Sequence, residues 1–390
     1  SQAGGLLPNL IYPTRGAHFW VMFAPFLIPL FVFLLNRSAK PDDQATNWQQ
    51  EIRKIGGIVA SLLALLWLLS MLYGWLITLL PPVRDIYLGS LAAPESGNLL
   101  KQAFLRRLAN PGGWVTLTIL TIMVLASLRK EKRAPSVHLF PIFLICIGLI
   151  LTFSPEFFYL RDQFGWRMNT IFKFYFQAWL LWGTAAAYAV IVLLEELHGK
   201  RRVLFQTGVA VLTVMSLVYP ALSLWNKTNG FNPPGGWTLD GSAYFKTQSP
   251  GEVEAVNWLR GAPQGVIAEA VSPTGGSYSG YARMSTLSGL PAVLGWMGHE
   301  SQWRGGGKEM GNRQGDVERL FCTRDRAEAE TILKLYNIRY VVIGSLERIT
   351  YVPGSATCPF GLQEAKFLNF LQPVFAQGEV TIYEYSPTVP

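Results

Sequence analysis

Charged side chains are scarce in this chain of 390 residues: Asp, Glu, Lys and Arg supply 15% of it and apolar residues 50%. A soluble domain carries about a quarter charged residues, so the shortage excludes a wholly water-exposed globule and points to a membrane protein with a water-facing part. A mean hydropathy of +0.25 agrees. Cysteine and histidine are sparse as well, with 3 cysteines and 4 scattered histidines, His18, His138, His198 and His299, which leaves no zinc or haem spacing. A phosphate-cradling loop is missing too, because Gly305-Gly306-Gly307-Lys308 lacks the Walker spacing and the Ser or Thr that should follow. The chain opens Ser-Gln-Ala, without an initiator Met or a signal-peptide pattern, and reads as a processed or partial chain.

What the chain has instead is long apolar runs, each near the ~20 residues a helix needs to cross the hydrocarbon core. Six are predicted, at 18–35, 55–80, 114–128, 137–153, 171–194 and 203–225, the third being the shortest and ending on Arg129 and Lys130. Basic residues crowd the connections after the first, third and fifth runs: Arg37, Lys40, Arg53 and Lys54, then Arg129, Lys130, Lys132 and Arg133, then Lys200, Arg201 and Arg202. By the positive-inside rule these short loops are cytoplasmic, which puts the connection 81–113 and everything after the sixth run on the outer side of a multi-pass cell-membrane protein. The net charge of +8 follows from this topogenic excess and gives no reason to invoke nucleic acid.

After residue 225 the composition changes. A Gly- and Pro-rich linker, 226–248, leads into a domain at 249–390. Ser249 followed by Glu252 reads as a capping box opening a helix, and residues 265–270 read as a strand. The pattern recurs as helix 327–336 with strand 339–343, and as helix 364–371 with strand 379–385. The predicted fold is therefore an α-helical membrane bundle of about six spans followed by a small extracytoplasmic α/β domain. Cys146 falls in the fourth run as a packing residue, whereas Cys322 and Cys358 fall in the exported domain, where an oxidising compartment permits a disulfide.

Two constellations carry chemistry. Glu156, Arg161, Asp162, Arg167 and Lys173 are set at the entry to the fifth run, and ionisable groups at membrane depth mark function unless they lock to one another. Asn169, Lys173 and Gln177 lie at i, i+4 and i+8 with Thr184 continuing the stripe, so this face is expected to point into the bundle. Guanidinium and ammonium groups among aromatic rings suit a lipid phosphate, held by Arg161, Arg167, Asn169, Lys173 and Gln177, with Glu156 or Asp162 as catalytic candidates that orient them or assist proton transfer. The rival reading is a structural ion-pair lock. In the exported domain, His299 and Glu300 form an acid/base candidate, Trp296 and Trp303 offer flat faces to a sugar, and Arg304 adds a cation, although an ordinary turn would use the same residues.

The run FFYLRDQFGWRMNTIFKFYFQAWLLWG closely resembles the signature of the uncharacterised integral membrane family called YYY membrane proteins, as does Tyr12-Pro13-Thr14-Arg15. SGYARMSTLSGLPAVLGWMGHESQWRG and LYNIRYVVIGSLER look like the same family's exported portion. That family is similar in layout to the GT-C glycosyltransferases, and the resemblance implies transfer of a sugar from a polyprenyl-phosphate donor on the extracytoplasmic side, with the lipid as cofactor and no readable metal site. Both groups have additional N-terminal helices, and GT-C enzymes keep an essential acid in the first outer loop. This chain looks like the C-terminal half of a longer member, so the implied partners are membrane lipids and an N-terminal-half chain or other membrane subunits. The alternative is a non-catalytic subunit of a larger membrane complex.

Overall fold

The computed structural model describes residues 5–39, 48–91, 99–133, 136–161, 166–233, 236–354 and 358–386. It divides into two units, one ending at Lys227 and the other starting at Thr228. In the first, a short strand β1 (Leu6–Pro8) precedes helices α1 (Gly16–Ala39), α2 (Trp48–Thr78), α3 (Pro81–Leu91), α4 (Leu99–Ala109), α5 (Gly112–Arg133) and α6 (Leu139–Phe157). Strand β2 (Phe158–Leu160), helix α7 (Met168–Glu196) and helix α8 (Gly199–Lys227) complete it. Six of these helices are long and apolar enough to cross a membrane: Gly16–Ser38, Gln50–Thr78, Gly112–Arg129, Leu139–Phe157, Met168–Glu196 and Gly199–Lys227. Each overlaps one of the predicted runs. The third run, short as a sequence, is lengthened by the helical continuation of α5 to Arg133. The connection 81–113 contains two amphipathic helices, α3 and α4, which an apolar-run search passes over.

Packing holds α1, α5, α6 and α7 around one core in which Phe19, Phe23, Leu120, Ile145 and Trp182 are fully or almost fully buried. Trp182 lies against Gly148, where any Cβ would overlap the indole, and its Nε1–H donates to the carbonyl of Ile145 at 3.1 Å. At one end α1 and α5 meet through glycine alone: a Cβ on Gly16 would stand 2.7 Å from the Gly112 Cα. Strands β1 and β2 pair antiparallel with Leu7 opposite Tyr159, which ties the segment before α1 to the end of α6. Helix α8 buries only Phe205, so nearly its whole apolar circumference is left for lipid.

The second unit is a four-stranded mixed sheet with helices. Its elements in order are α9 (Ala243–Gln248), α10 (Pro250–Gly261), β3 (Val266–Ala268), α11 (Arg283–Ser288), α12 (Met297–Arg304), α13 (Arg313–Cys322) and α14 (Arg326–Leu335). They continue with β4 (Ile338–Ile343), α15 (Ser345–Thr350), a 3-10 turn at Glu364–Asn369, β5 (Gln372–Gln377) and β6 (Val380–Glu384). Strand order is β3-β4-β6-β5, with β3 parallel to β4 and the other neighbours antiparallel. Two expectations are corrected: the expected helix 364–371 is a 3-10 turn over Glu364–Asn369, and α9 lies inside the expected linker. Strand β5, which forms a hairpin with β6, is an element the sequence pattern does not announce. Cys322 and Cys358 are joined in a disulfide with Cα atoms 5.0 Å apart, spanning α14, β4 and α15.

Candidate functional site

The entry to α7 is an ion-pair lock. Glu156 ends α6 and is 1% exposed; Arg167 precedes α7 and is 6% exposed; their nearest atoms are 2.7 Å apart. Thr14 closes the set, giving its backbone N–H to Glu156 Oε2 at 3.1 Å and its hydroxyl to Oε1 at 2.5 Å. Arg167 also donates to the carbonyl of Pro155 at 3.2 Å and to Thr14 Oγ1 at 3.3 Å, and the Tyr175 hydroxyl lies 3.0 Å from that oxygen. A buried carboxylate is tolerated when its lone pairs are filled by charge-assisted donors, which is the arrangement here. Glu156 is thus committed to Arg167 and Thr14, and the Tyr12-Pro13-Thr14-Arg15 segment is the third party to the lock.

The polar stripe points the other way from its expectation. Lys173, Gln177 and Thr184 are exposed and Asn169 is half-buried, because the inward face of α7 is taken by Thr170, Tyr175, Ala178 and Trp182. Helical spacing fixed a common face and could not say which face the core would claim. Lys173 has no polar partner among the described residues. Arg161 is half-buried and its backbone N–H donates to the Gly5 carbonyl at 3.0 Å; Asp162 lies outside the described residues.

A cation the sequence reading passed over sits beside the lock. Arg107 of α4 is 6% exposed and makes no ion pair among the described residues. Its guanidinium donates to the Asn9 carbonyl at 2.7 Å and to Ser70 Oγ at 3.2 Å. It lines a mostly apolar pocket of about 250 Å³ with Leu63, Trp67, Leu108, Pro111 and Trp114. Among the described buried residues here, Arg107 and Arg167 stand against Glu156 alone. In sequence Arg107 looks like one of several basic residues in a loop, and only the burial of α4 distinguishes it.

The second unit holds another constellation, at the carboxyl ends of the parallel strands β3 and β4. Arg283 opens α11 and is surrounded by three buried carboxylates: its nearest contacts are 2.6 Å to Glu252, 3.0 Å to Glu347 and 3.7 Å to Glu269. Glu347 also accepts the N–H groups of Ala270 and Gly344, each at 2.8 Å, and Glu269 accepts those of Met284 and Ser285, each at 2.9 Å. Burial raises the Glu252 and Glu269 carboxyls above the ordinary range against the pull of Arg283. For Arg283 burial acts downward, and Glu347, Glu269 and Glu252 together hold it above its usual value. The apparent capping box at Ser249 is therefore something else: the Ser249 side chain makes no cap bond, and Glu252 is given to Arg283.

The remaining sequence candidates are placed nearby but not as an acid/base pair. His299 Nε2 meets the Tyr278 hydroxyl at 3.1 Å and the Trp303 indole at 3.0 Å, whereas Glu300 accepts from the Gly295 N–H at 2.7 Å and from Arg304 at 3.0 Å. The two adjacent side chains serve different partners. Trp296 donates its indole N–H to the Tyr281 carbonyl at 2.7 Å and packs on Tyr278 with ring centroids 5.3 Å apart. Among the described residues no cluster of His, Cys, Asp and Glu could hold a metal ion.

Six helices long and apolar enough to cross a membrane, with a buried ion-pair lock between the end of α6 and the entry to α7, indicate a multi-pass helical membrane protein. The model of a family described as uncharacterized membrane protein, DUF2298, matches residues 2–182, a span that includes Thr14, Glu156 and Arg167 and stops short of the second unit. No curated protein and no solved structure matches the chain.

Proposed function

We propose that this protein binds a polyprenyl phosphate in its helical unit and serves glycosyl transfer of the GT-C kind on the extracytoplasmic face, as the lipid-binding part of a larger assembly. The observation that carries the reading is Arg107, a buried guanidinium with no ion pair among the described residues, beside an apolar pocket. A guanidinium binds phosphate oxygens in bidentate fashion, and Leu63, Leu108 and the indoles of Trp67 and Trp114 suit the isoprenoid next to it. Arg161 and Lys173 remain as outer cations of the same reading, with Asn169 and Gln177. Arg167 and Glu156 serve in it as the frame, since both are committed to each other. The disulfide between Cys322 and Cys358 favours an oxidising compartment for the second unit. The test is binding of undecaprenyl phosphate to the full chain in nanodiscs. Arg107→Met should weaken binding at least about tenfold and Arg107→Lys less, because a charge-assisted hydrogen bond contributes ~1.5–3 kcal/mol; Arg107→Met also gives up the bonds to Asn9 and Ser70, so binding is compared below the unfolding temperature of each variant. Unchanged lipid binding with a large loss of stability would make Arg107 a structural residue and sink the reading.

The closed lock favours a second reading, a non-catalytic scaffold subunit, in which the exposed Lys173 and Gln177 meet a polar helix of a partner. Lys173→Met would then disrupt co-purification of that partner and leave lipid binding intact.

A further inference from the structure

Between α9, α10, α11, α15 and the loop before α11 lies an open cavity of about 560 Å³, within the size range of small-molecule sites. It opens beyond the carboxyl ends of β3 and β4, where β4 has a parallel neighbour on one side and an antiparallel one on the other. Crevices at such positions are where open α/β sheets take ligands. Its floor is charged: Glu252 and Arg283 both line it, and each is more than nine-tenths buried. Glu252 spends Oε1 on the Arg283 guanidinium, and its Oε2 has no hydrogen-bond partner among the described residues. Glu252 lines the open cavity, where Oε2 can accept a hydrogen bond from water or from a ligand that displaces it.

The wall is aromatic. Tyr278, 76% exposed, and Trp296 line the cavity, and their rings continue through His299 to Trp303 in a row with neighbouring centroids 5.3, 5.2 and 6.0 Å apart. The rings are tilted against one another by 47°, 60° and 87° and touch each other instead of enclosing a gap, so each offers its own face and together they form no cage around a cation. The lining also mixes the hydroxyls of Ser249, Ser345 and Thr286 with the carboxylate and the guanidinium, giving donors and acceptors together. Flat apolar faces beside mixed donors and acceptors match a ring whose faces are C–H and whose edges are hydroxyl.

We propose that this cleft is a saccharide-binding site, with Glu252 and the hydroxyls of Ser249, Ser345 and Thr286 taking sugar hydroxyls, Arg283 holding Glu252 in place, and Tyr278 and Trp296 packing against the ring. It is a site of binding and not of glycoside cleavage. Cleavage requires two carboxyl groups flanking the scissile bond, and the side chains of Glu269 and Glu347 are 0% exposed, which leaves Glu252 alone at the surface of the cavity. The inference deepens the reading above by giving the sugar its seat. It is tested with free saccharides, so its failure and that of the lipid site at Arg107 are separately visible.

The experiment is titration of the full chain in nanodiscs, free of sugar-headed detergent, with glucose, galactose, mannose, N-acetylglucosamine, lactose, maltose, cellobiose and chitobiose, followed by calorimetry and tryptophan fluorescence. At least one should bind saturably. Glu252→Gln and Tyr278→Ala should each raise its Kd by about tenfold or more. Tyr278→Ala should do so at an unchanged unfolding temperature, because the ring is exposed, and this keeps the test sound even where Glu252→Gln disturbs the buried cluster. Absence of saturable binding by every sugar overturns the proposal, as does binding that neither substitution weakens. Tetramethylammonium binding lost in Tyr278→Ala, with no sugar bound, would make the site an ammonium cage and overturn it too.

Discussion

Lys366 shows how one buried side chain ties stability to pH. Its ammonium is 9% exposed and donates to the carbonyls of Phe321 at 3.2 Å and Thr323 at 2.6 Å, the exit of α13. Burial pushes its pKa down from 10.5 to about 7 against the smaller opposing effect of Glu328. Between these values the unfolded chain holds the proton and the folded chain has lost it, so stability should rise as pH increases from about 7 toward 10.5 and be flat below. Amide exchange of β4 and β6 at pH 6.5 and pH 9 reads this slope, which Lys366→Met should abolish. A slope of the opposite sign would mean that the two carbonyls hold the charged form. The lock gives a second test at this scale. Arg167→Met leaves the buried Glu156 charge without its ion-pair partner, which should cost about 3–5 kcal/mol, and adding Glu156→Gln should recover most of it. Thermal unfolding of the single and double variants decides whether the pair is coupled.

Between elements, close packing sets what a helix tolerates. Gly148→Ala drives a methyl into the Trp182 indole and should cost about 1–3 kcal/mol, whereas Gly208→Ala in α8, where nothing lies within 4 Å, should be neutral or favourable; unfolding temperatures of the two variants compare them directly. The same contrast explains what the sequence could show. The six spans were legible because length and hydropathy alone make a membrane helix, and the helix–strand alternation around α10, β3, α14 and β4 was legible from its change of period. The orientation of α7 was not, since Trp182, Tyr175 and Lys173 compete for the core and only packing against α1 and α6 shows that the aromatics win. Nor was the Glu252–Arg283–Glu347 cluster, whose members come from three elements separated by up to 95 residues of sequence. Glu252 in particular was disguised, because its place after Ser249 has the local form of a helix cap.

For the whole molecule, sidedness decides whether either proposed site meets its ligand. The basic residues Arg129 and Lys130 at the end of the third span, and Lys200, Arg201 and Arg202 before the sixth, argue that those ends are cytoplasmic. On that proposal, six crossings from an outer start of the first span would place the second unit outside, in the compartment that its disulfide suits. Single cysteines at Lys132 and at Asn312, introduced with Cys146→Ala so that the only native thiols left are paired, should differ in intact cells: the impermeant thiol reagent should label position 312 and spare 132 until the membrane is opened. The oxidised pair itself is checked by mass spectrometry of non-reduced peptides, which should recover Cys322 linked to Cys358. Labelling at 132 alone would invert the protein. The cleft at Glu252 would then face the cytoplasm, the disulfide would sit in a reducing compartment, and an extracytoplasmic sugar could not reach the site.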